Sequence, residues 1–228
     1  MFHELTSYPD LTQEQHRALP HVSNTDLSEL KAKVLGQLRQ PNPLALAFGS
    51  HFHAATLEPA TYARTTEKCP WEKLEQLARQ VRRQRYCRDL LYRGTAELTH
   101  TATHTATGVQ VKVRPDLLVV SPAGRRTTLI DFKTTSYPDL THFLASAAQY
   151  DYDRQAALYL DALNATRFLI IGVQKKAPHA VWLFDATAAT GFIEQGRKKY
   201  TALLRHHARK VAGVSGFAPT NTPVVLVA

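Results

Sequence analysis

The sequence predicts an α+β fold of mixed α/β character, in which helices flank one mixed sheet that contains an antiparallel meander. Two observations support this fold class. Apolar residues recur at helical spacing through much of residues 23–92, and from Ala96 the chain changes to short runs in which apolar and polar residues alternate. A helical stretch, two strands and a long helix follow, which is the order expected when helices pack on a sheet.

Three helices are predicted in the N-terminal part of the chain. Residues 1–20 look irregular, and cap-type residues at positions 23–25 then begin a first helix whose apolar positions extend to Leu38. A second helix runs from about residue 44 or 48 to residue 58 or 59, after a breaker segment. Residues 71–92 form a strongly charged amphipathic helix.

The rest of the chain alternates between strands and helices. Strands at residues 96–104, 109–120 and 127–135 are separated by turn residues and predict the meander. The remaining predicted elements are a helix from about Thr141 to Asn164, strands at 167–175 and 180–186, and a final helix from about Ala188 to Arg209.

Length and composition predict one domain that spans residues 1–228, because 44% of the residues are hydrophobic and can form a core. No apolar stretch is long enough for a membrane span, and the N-terminal residues lack the pattern of a signal peptide, so a cytoplasmic protein is expected. Cys69 and Cys87 are the only cysteines. Two cysteines argue against a disulfide scaffold, a zinc ribbon or an iron–sulfur cluster.

The charge balance indicates an anionic partner. With 28 Lys and Arg against 19 Asp and Glu, the chain carries a net charge of +9. A basic protein releases counterions when it binds a phosphate backbone, so nucleic acid is the leading partner. An anionic membrane surface is the weaker alternative, because no basic amphipathic helix with a strong apolar face is present.

Two strands joined by the turn at residues 121–126 are predicted to form a hairpin. If the turn is centred between Ala123 and Gly124, Asp116 lies opposite Asp131, and Arg114 lies opposite Lys133. Side chains alternate along a strand, so these four groups are expected on one face. Two opposed carboxylates repel each other unless a cation lies between them.

Carboxylate oxygens suit Mg²⁺, with Mn²⁺ as a substitute, and a nearby lysine could stabilise charge that develops on a phosphate. These are the groups that phosphodiester hydrolysis requires. Alternatively, Asp116, Asp131 and Lys133 only solvate one face of the hairpin. The position of Asp131 between Ile130 and Phe132 in an apolar strand argues against that alternative.

Four ordered motifs resemble the PD-(D/E)xK nucleases, and within them the group that contains the nuclease domain of exonuclease VIII and related phage exonucleases. The motifs are RPDLL at 114–118, IDFKTT at 130–135, FGSHFHAATLEP at 48–59 and YDYDRQAALYLDAL at 150–163. The segment HVSNTDLSELK near the start also resembles the opening helix of the family. The resemblance covers most of the chain and implies a restriction-endonuclease-like central mixed sheet.

Residue roles follow from this resemblance. It implies that Asp116, Asp131, the backbone carbonyl of Phe132 and His53 hold the metal, and that Lys133 orients or activates the attacking water. It also implies that a helical face with Gln155 and Tyr159 lies against the active site. Arg114 and Tyr152 are candidate contacts to nucleic acid.

Two positions depart from the family pattern or extend it. Gln174 stands where an acidic residue is expected in many relatives, so a second set of metal ligands is not expected. Glu97 either contributes a carboxylate from the first strand or is a solvated edge residue. The cysteines of iron–sulfur relatives are absent from the sequence, which favours the exonuclease VIII and lambda exonuclease side of the superfamily.

The resemblance implies a Mg²⁺-dependent deoxyribonuclease of the recombination or phage type. The expected activity is 5′ to 3′ exonuclease digestion from double-stranded DNA ends, with a single-strand annealing protein as partner and a homo-oligomeric ring as assembly. Two alternatives stay open: a structure-specific or defence endonuclease on the same fold, and a DNA-binding module without turnover.

Overall fold

The structure is a computed structural model that describes residues 1–37 and 42–213. The elements in chain order are β1 (Phe2–Tyr8), α1 (Gln13–Ala18), α2 (Asn24–Val34), α3 (Pro43–Leu57), α4 (Trp71–Arg83), α5 (Arg85–Arg93), β2 (Thr95–Ala96), β3 (Thr99–His104), β4 (Gln110–Val113), β5 (Leu117–Val120), β6 (Thr127–Thr135), α6 (Leu140–Ala147), α7 (Tyr152–Ala162), β7 (Arg167–Gln174), β8 (Val181–Asp185) and α8 (Phe192–Val211). Helices flank an antiparallel sheet and a mixed sheet, and the predicted fold class is confirmed.

The N-terminal segment contains β1 and α1, so the prediction that residues 1–20 are irregular is wrong. β1 is an edge strand that pairs antiparallel with β3. Most of its residues are exposed, so it lacks the apolar alternation by which a strand is recognised in a sequence. Its conformation depends on hydrogen bonds to a strand far along the chain.

The first two predicted helices are present as α2 and α3. α2 begins after a capping box in which Ser23 and Asp26 satisfy each other's backbone N–H groups. α3 follows the Asn42 cap and starts with Pro43, which suits a first helical position because it lacks an N–H group. Leu38, the last apolar position predicted for the first helix, lies outside the described residues.

The helix predicted over residues 71–92 is broken at Gln84 into α4 and α5. A continuous helix turns by about 100° per residue, which would point Cys87 and Leu90 away from the face that Val81 buries. Gln84 has extended backbone angles that reorient the chain. As a result, Cys87, Leu90 and Val81 all pack into the same core.

Within the described residues, the strands form two sheets instead of one continuous meander. β1, β3 and β4 form one sheet, and the other has the order β2, β5, β6, β7, β8. The chain passes from one sheet to the other at Pro115, between β4 and β5. Proline has no N–H group for sheet pairing, so the strand predicted over residues 109–120 is interrupted there.

The larger sheet is mixed. β6 and β7 are parallel, and the other pairs in this sheet are antiparallel. α6 and α7 lie in the connection from β6 to β7, where one helix over residues 141–164 was predicted. The break between them contains Asp151, which has a left-handed φ of 54° and binds Lys31, Arg154 and Lys199 through its carboxylate.

The predicted hairpin register is confirmed. Leu117 pairs with Ile130, and Val120 pairs with Thr127. Pairing starts at Leu117, so Asp116 lies one residue before β5. Extending the same register by one residue places Asp116 opposite Asp131. The prediction for Arg114 is wrong, because β5 does not extend to it and its guanidinium bonds elsewhere, as described below.

Helices cover both faces of the larger sheet. Leu129 of β6 belongs to a core cluster with residues of α7 and α8, whereas Ile130 belongs to a cluster with residues of α3 and α4. Because side chains alternate along β6, Asp131 and Lys133 share the α7 side with Leu129. None of the described helices has the length and apolar character needed to cross a membrane.

Candidate active site

A cleft of about 1320 Å³ opens beside the C-terminal half of β6. Its lining includes His53 of α3, Glu97, Arg114, Lys133 and Tyr152. Asp116 and Asp131 are more deeply placed, at 8% and 2% exposure. The predicted acidic pair therefore lies in a poorly solvated position close to a large cleft, which is unusual for carboxylates without a partner.

Asp116 is held by backbone and side-chain contacts. Its Oδ2 accepts a hydrogen bond from the Phe132 backbone N–H at 2.6 Å, and its Oδ1 lies 3.4 Å from His53 Nδ1. Burial raises the pKa of Asp116 to about 7, with smaller contributions from Asp131 and Glu97, against the opposing effect of His53 and Lys133. A carboxyl group in this state exchanges a proton, or takes up a cation, close to neutral pH.

Asp131 has one oxygen that is well bonded and one that is not. Oδ1 accepts hydrogen bonds from Lys133 Nζ at 2.8 Å and Gln155 Nε2 at 2.7 Å. Oδ2 is buried and lacks a hydrogen bond of suitable geometry, although Lys133 Nζ approaches it to 2.6 Å. A buried carboxylate oxygen with an unused acceptor site is suited to bind a cation.

Lys133 carries its charge among acidic and aromatic groups. Burial disfavours the ammonium, but the carboxylates of Asp131 and Asp116 outweigh this effect and raise the pKa of Lys133 above the ordinary lysine value. The ring of Tyr152 lies 5.4 Å from Nζ, and burial raises the pKa of that phenol to about 12. Lys133 is therefore positively charged, and Tyr152 is protonated, at neutral pH.

His53 connects the helical motif to the strand. Its Nε2 lies 2.8 Å from the Phe132 carbonyl oxygen. A carbonyl only accepts, so Nε2 carries the hydrogen and Nδ1, which faces Asp116, is available to a proton or a metal ion. A hydrogen bond to the second ring nitrogen is a common way to orient a metal-binding histidine.

Glu97 lies inside the site. It has a left-handed φ of 53°, and a ligand atom from each of His53, Glu97 and Asp116 lies within 4.8 Å of the others. The interpretation of Glu97 as a solvated edge residue is therefore wrong, since its side chain is only 20% exposed. The two carboxylates suit Mg²⁺ and Mn²⁺, and the imidazole is a common ligand of divalent transition metals, so the residues present fit a divalent metal ion.

Arg114 supports Glu97 instead of lying opposite Lys133. Its guanidinium donates to Glu97 Oε2 at 2.7 Å, to the Leu11 carbonyl at 2.9 Å and to Thr99 Oγ1 at 2.9 Å. It still lines the cleft. These three bonds hold the Glu97 carboxylate toward His53 and Asp116.

The predicted helical face of α7 lies against the acidic pair. Gln155 bonds Asp131, as described above, whereas Tyr159 is almost fully buried. Burial raises the pKa of Tyr159 to about 12, with a smaller contribution from the charge of Asp131. The Tyr159 phenol is thus an uncharged group close to the carboxylates of Asp131 and Asp116 at neutral pH.

Gln174 serves the fold. Its Nε2 donates to the Pro138 carbonyl at 2.7 Å, and its Oε1 accepts from the Ala180 backbone at 3.3 Å. The residue is 3% exposed, and both ends of its amide are occupied. An amide is suited to this position because it pairs one donor and one acceptor with two backbone groups.

A mixed sheet that presents Asp116 beside a strand carrying Asp131 and Lys133 defines the PD-(D/E)xK class of proteins. The chain belongs to the family described as PDDEXK-like domain of unknown function (DUF3799), which matches residues 26–215. This match confirms the resemblance seen in the sequence motifs. A search of curated proteins found no match.

Two solved structures illustrate the likeness in fold. A candidate exonuclease from Eubacterium rectale is 14% identical, with a TM-score of 0.57, over 89% of this chain and 85% of its own. A phage related exonuclease from Haemophilus somnus 129PT is 11% identical, with a TM-score of 0.44, over 91% and 86% of the two chains. The first likeness shows the fold.

Proposed function

We propose that this protein is a Mg²⁺-dependent deoxyribonuclease that hydrolyses phosphodiester bonds at Asp116, Asp131 and Lys133. The main support for this proposal is the environment of the Asp131 carboxylate. The buried Asp131 carboxylate keeps an acceptor site unused beside a charged lysine, next to the cluster of His53, Glu97 and Asp116. Such a site combines metal ligands with a cation, and it adjoins a cleft large enough for part of a polymer.

The metal ligands we assign are Asp116, Asp131 and His53 through Nδ1, with Glu97 added from the geometry. The Phe132 carbonyl, which the family resemblance implies as a further ligand, lies at the opposite edge of the His53 ring, where it accepts the Nε2 hydrogen. A divalent ion bound there supplies Lewis acidity toward a phosphoryl oxygen and a water molecule. Lys133 provides a fixed positive charge for the negative charge that develops on the phosphate. Gln155 holds Asp131 in place, since its amide donates to the same oxygen as Lys133.

DNA is proposed as the substrate because of the net charge of the chain and its resemblance to a group of DNA nucleases. The net charge of +9 favours a polyanion, and PD-(D/E)xK proteins are nucleases of DNA in the group that the motifs resemble. Attack on double-stranded ends, 5′ to 3′ polarity, an annealing partner and a ring-shaped oligomer are proposed on that resemblance alone. A ring would allow processive digestion, because one compact chain does not easily encircle a duplex.

A comparison of linear and covalently closed plasmid tests the proposal. With Mg²⁺, the wild-type protein is expected to degrade linear DNA and leave the closed circle intact, and EDTA or Lys133→Ala should abolish degradation. Nicking or linearisation of the closed circle would identify an endonuclease instead. DNA binding without hydrolysis in Mg²⁺ or Mn²⁺ would identify a binding module and overturn the proposal.

A further inference from the structure

A second cavity, of about 680 Å³, adjoins the active-site cleft and shares Ala45, Ser136 and Lys175 with it. Its floor contains the apolar or weakly polar residues Leu44, Phe48, Cys69 and Pro70. Its rim contains four lysines, which are Lys68, Lys73, Lys175 and Lys176. We call this second cavity, with its floor and rim, the lysine groove.

The charge of the lysine groove is not neutralised within the described part of the chain. No Asp or Glu lines it, and none of its four lysines forms an ion pair there, whereas Arg64, Arg167 and Arg197 each contact a carboxylate. Burial lowers the pKa of Lys175, with a further contribution from the charge of Lys73. Like charges gathered without a counter-charge favour an anionic ligand.

The lysine groove begins where the strand of the active site ends. Lys133 and Ser136 are three residues apart on one extended segment, a separation of roughly 10 Å. Lys175 directly follows β7, and its backbone N–H donates to the Thr135 carbonyl at 2.7 Å, which anchors it to the end of β6. A polymer that passes through the cleft would therefore meet the groove next.

The apolar floor of the lysine groove suits single-stranded DNA better than duplex DNA. A duplex presents phosphates to the outside and hides the faces of its bases, so it would leave the apolar floor uncovered. Leu44 on this floor is 68% exposed, and Lys175 Nζ lies 5.4 Å from the Phe48 ring. A single strand can place phosphates against the lysines and bases against the floor at the same time.

We propose that the lysine groove binds the single strand of DNA that continues beyond the active-site cleft. The assignment rests on the proposed nuclease function, because it takes the cleft as the place where the DNA enters. Lys68, Lys73 and Lys176 contact phosphates from the exposed rim, Lys175 from the border with the cleft, and Leu44 contacts the bases.

Neutralising the exposed rim tests the proposal. The groove variant combines Lys68→Gln, Lys73→Gln and Lys176→Gln. The control variant combines Lys33→Gln, Lys198→Gln and Lys210→Gln, which are likewise exposed and form no ion pair in the described residues. Both variants lose the same net charge, so a difference between them reports position. The shift in melting temperature relative to the wild type should be small and similar in both.

Affinity is measured by fluorescence anisotropy in EDTA, with labelled single strands of about 12 nucleotides, a length within the site size of many single-strand grooves. Loss of three phosphate contacts should weaken binding by about 100-fold at about 0.1 M salt, and make the negative slope of log K against log salt shallower by about 2. The control variant and blunt duplex binding should change much less. Equal losses for both variants, or for single strand and duplex, would overturn the assignment.

The proposed nuclease function is tested separately, because binding in EDTA requires no hydrolysis. If the wild type does not cut DNA, but the groove variant, unlike the control variant, binds single strands more weakly than the wild type, the nuclease proposal fails while single-strand binding by the groove stands. If the wild type cuts DNA but the groove and control variants bind alike, the groove proposal fails alone.

Cys69 offers a test on the wild-type protein. It lies half-buried in the lysine groove, whereas Cys87 is buried in the core and its pKa is raised to about 11 by burial. A thiol reagent should therefore label Cys69 first, and a Cys69→Ser variant gives the remaining rate. Saturating single-stranded DNA should slow Cys69 labelling several-fold, and blunt duplex at equal occupancy should not. An unchanged labelling rate with single strands would contradict the proposal.

Discussion

Gln155 donates a hydrogen bond to Asp131 across the interface between α7 and β6, with 2.7 Å between Nε2 and Oδ1. The bond fixes one oxygen of a carboxylate whose other oxygen contacts the Lys133 ammonium at 2.6 Å without a hydrogen bond of suitable geometry. Gln155 thus acts as a positioning residue for the proposed metal ligand. The i, i+4 spacing of Gln155 and Tyr159 predicts their common helical face, but only the structure identifies the atom that Gln155 contacts.

We expect Gln155→Ala to lower the rate of DNA hydrolysis by about 10- to 100-fold, the usual cost of losing a group that orients a metal ligand. The Mg²⁺ concentration needed for half-maximal rate should rise, which a purely structural role would not cause. Gln195→Ala on the exposed side of α8 is the matched control. A lower melting temperature with an unchanged Mg²⁺ dependence would contradict the positioning role.

Lys133→Ala should abolish cleavage, by at least about 10³-fold, because it removes the fixed cation that stabilises negative charge at the phosphate. Affinity for DNA should fall by less than about tenfold, the effect of one phosphate contact at moderate salt. Single-turnover rates and anisotropy measure the two quantities. Lys198→Ala, an exposed lysine on α8, serves as the control. An affinity that falls as steeply as the rate would argue against a catalytic role.

His53→Ala should shift the Mg²⁺ dependence of the rate to about 10- to 100-fold higher concentrations. The reason is that Nδ1 faces Asp116, while Nε2 is tied to the Phe132 carbonyl. The side chain is 25% exposed, so its loss should disturb folding less than metal binding. His206→Ala, on α8 outside the cleft lining, gives the baseline. An unaltered Mg²⁺ dependence with a sharply lower melting temperature would assign His53 to the core.

The hairpin at the site could be predicted because its determinants are local. Alternation along a strand places Asp131 and Lys133 on one face, and the turn at residues 121–126 sets the register that pairs Leu117 with Ile130. Asp116 follows from the same register, one residue beyond the pairing. Arg114 does not follow this register, because the chain leaves the sheet at Pro115, between Arg114 and β5.

Other features depend on contacts between distant parts of the chain. Glu97 is placed in the site by its hydrogen bond from Arg114 and by its left-handed backbone conformation. Neither feature produces a periodic pattern in the sequence. The break before α7 is held by Asp151 with Lys31 and Lys199, which are more than 45 residues away in the sequence. Propensity alone favours a continuous helix in such a segment, so tertiary contacts decide the outcome.

Asp116 makes the metal-free protein sensitive to pH. The pKa of Asp116 is raised from 3.8 to about 7 in the folded state. The main cause is burial, and the repulsion from the opposed Asp131 carboxylate is a smaller contribution. A raised carboxyl pKa means that the stabilising contribution of the protonated group is complete below the unfolded value and is lost as pH rises through the folded value. The wild type should therefore lose stability between about pH 4 and pH 7 through this group.

Asp116→Asn should remove this dependence, because the amide stays neutral while its oxygen can still accept the Phe132 N–H. In EDTA near neutral pH we expect the variant to be at least as stable as the wild type, because burial penalises the charged carboxylate but not the neutral amide. Thermal melts in EDTA between about pH 4 and pH 8 measure the difference, which should grow with pH. Ser23→Ala, which disrupts a helix cap outside the cleft lining, is a control that should lower stability without this pH dependence.

Adding Mg²⁺ should reverse the order of the two proteins. The wild type is expected to gain roughly 2.7 kcal/mol at a metal concentration about 100 times the dissociation constant, and the Asn variant should gain little because it lacks one carboxylate ligand. The gain should increase with pH through about 7, since a metal ion must displace the proton from Asp116. If Asp116→Asn melts well below the wild type in EDTA at neutral pH, Asp116 is a structural residue and its assignment to the metal site fails.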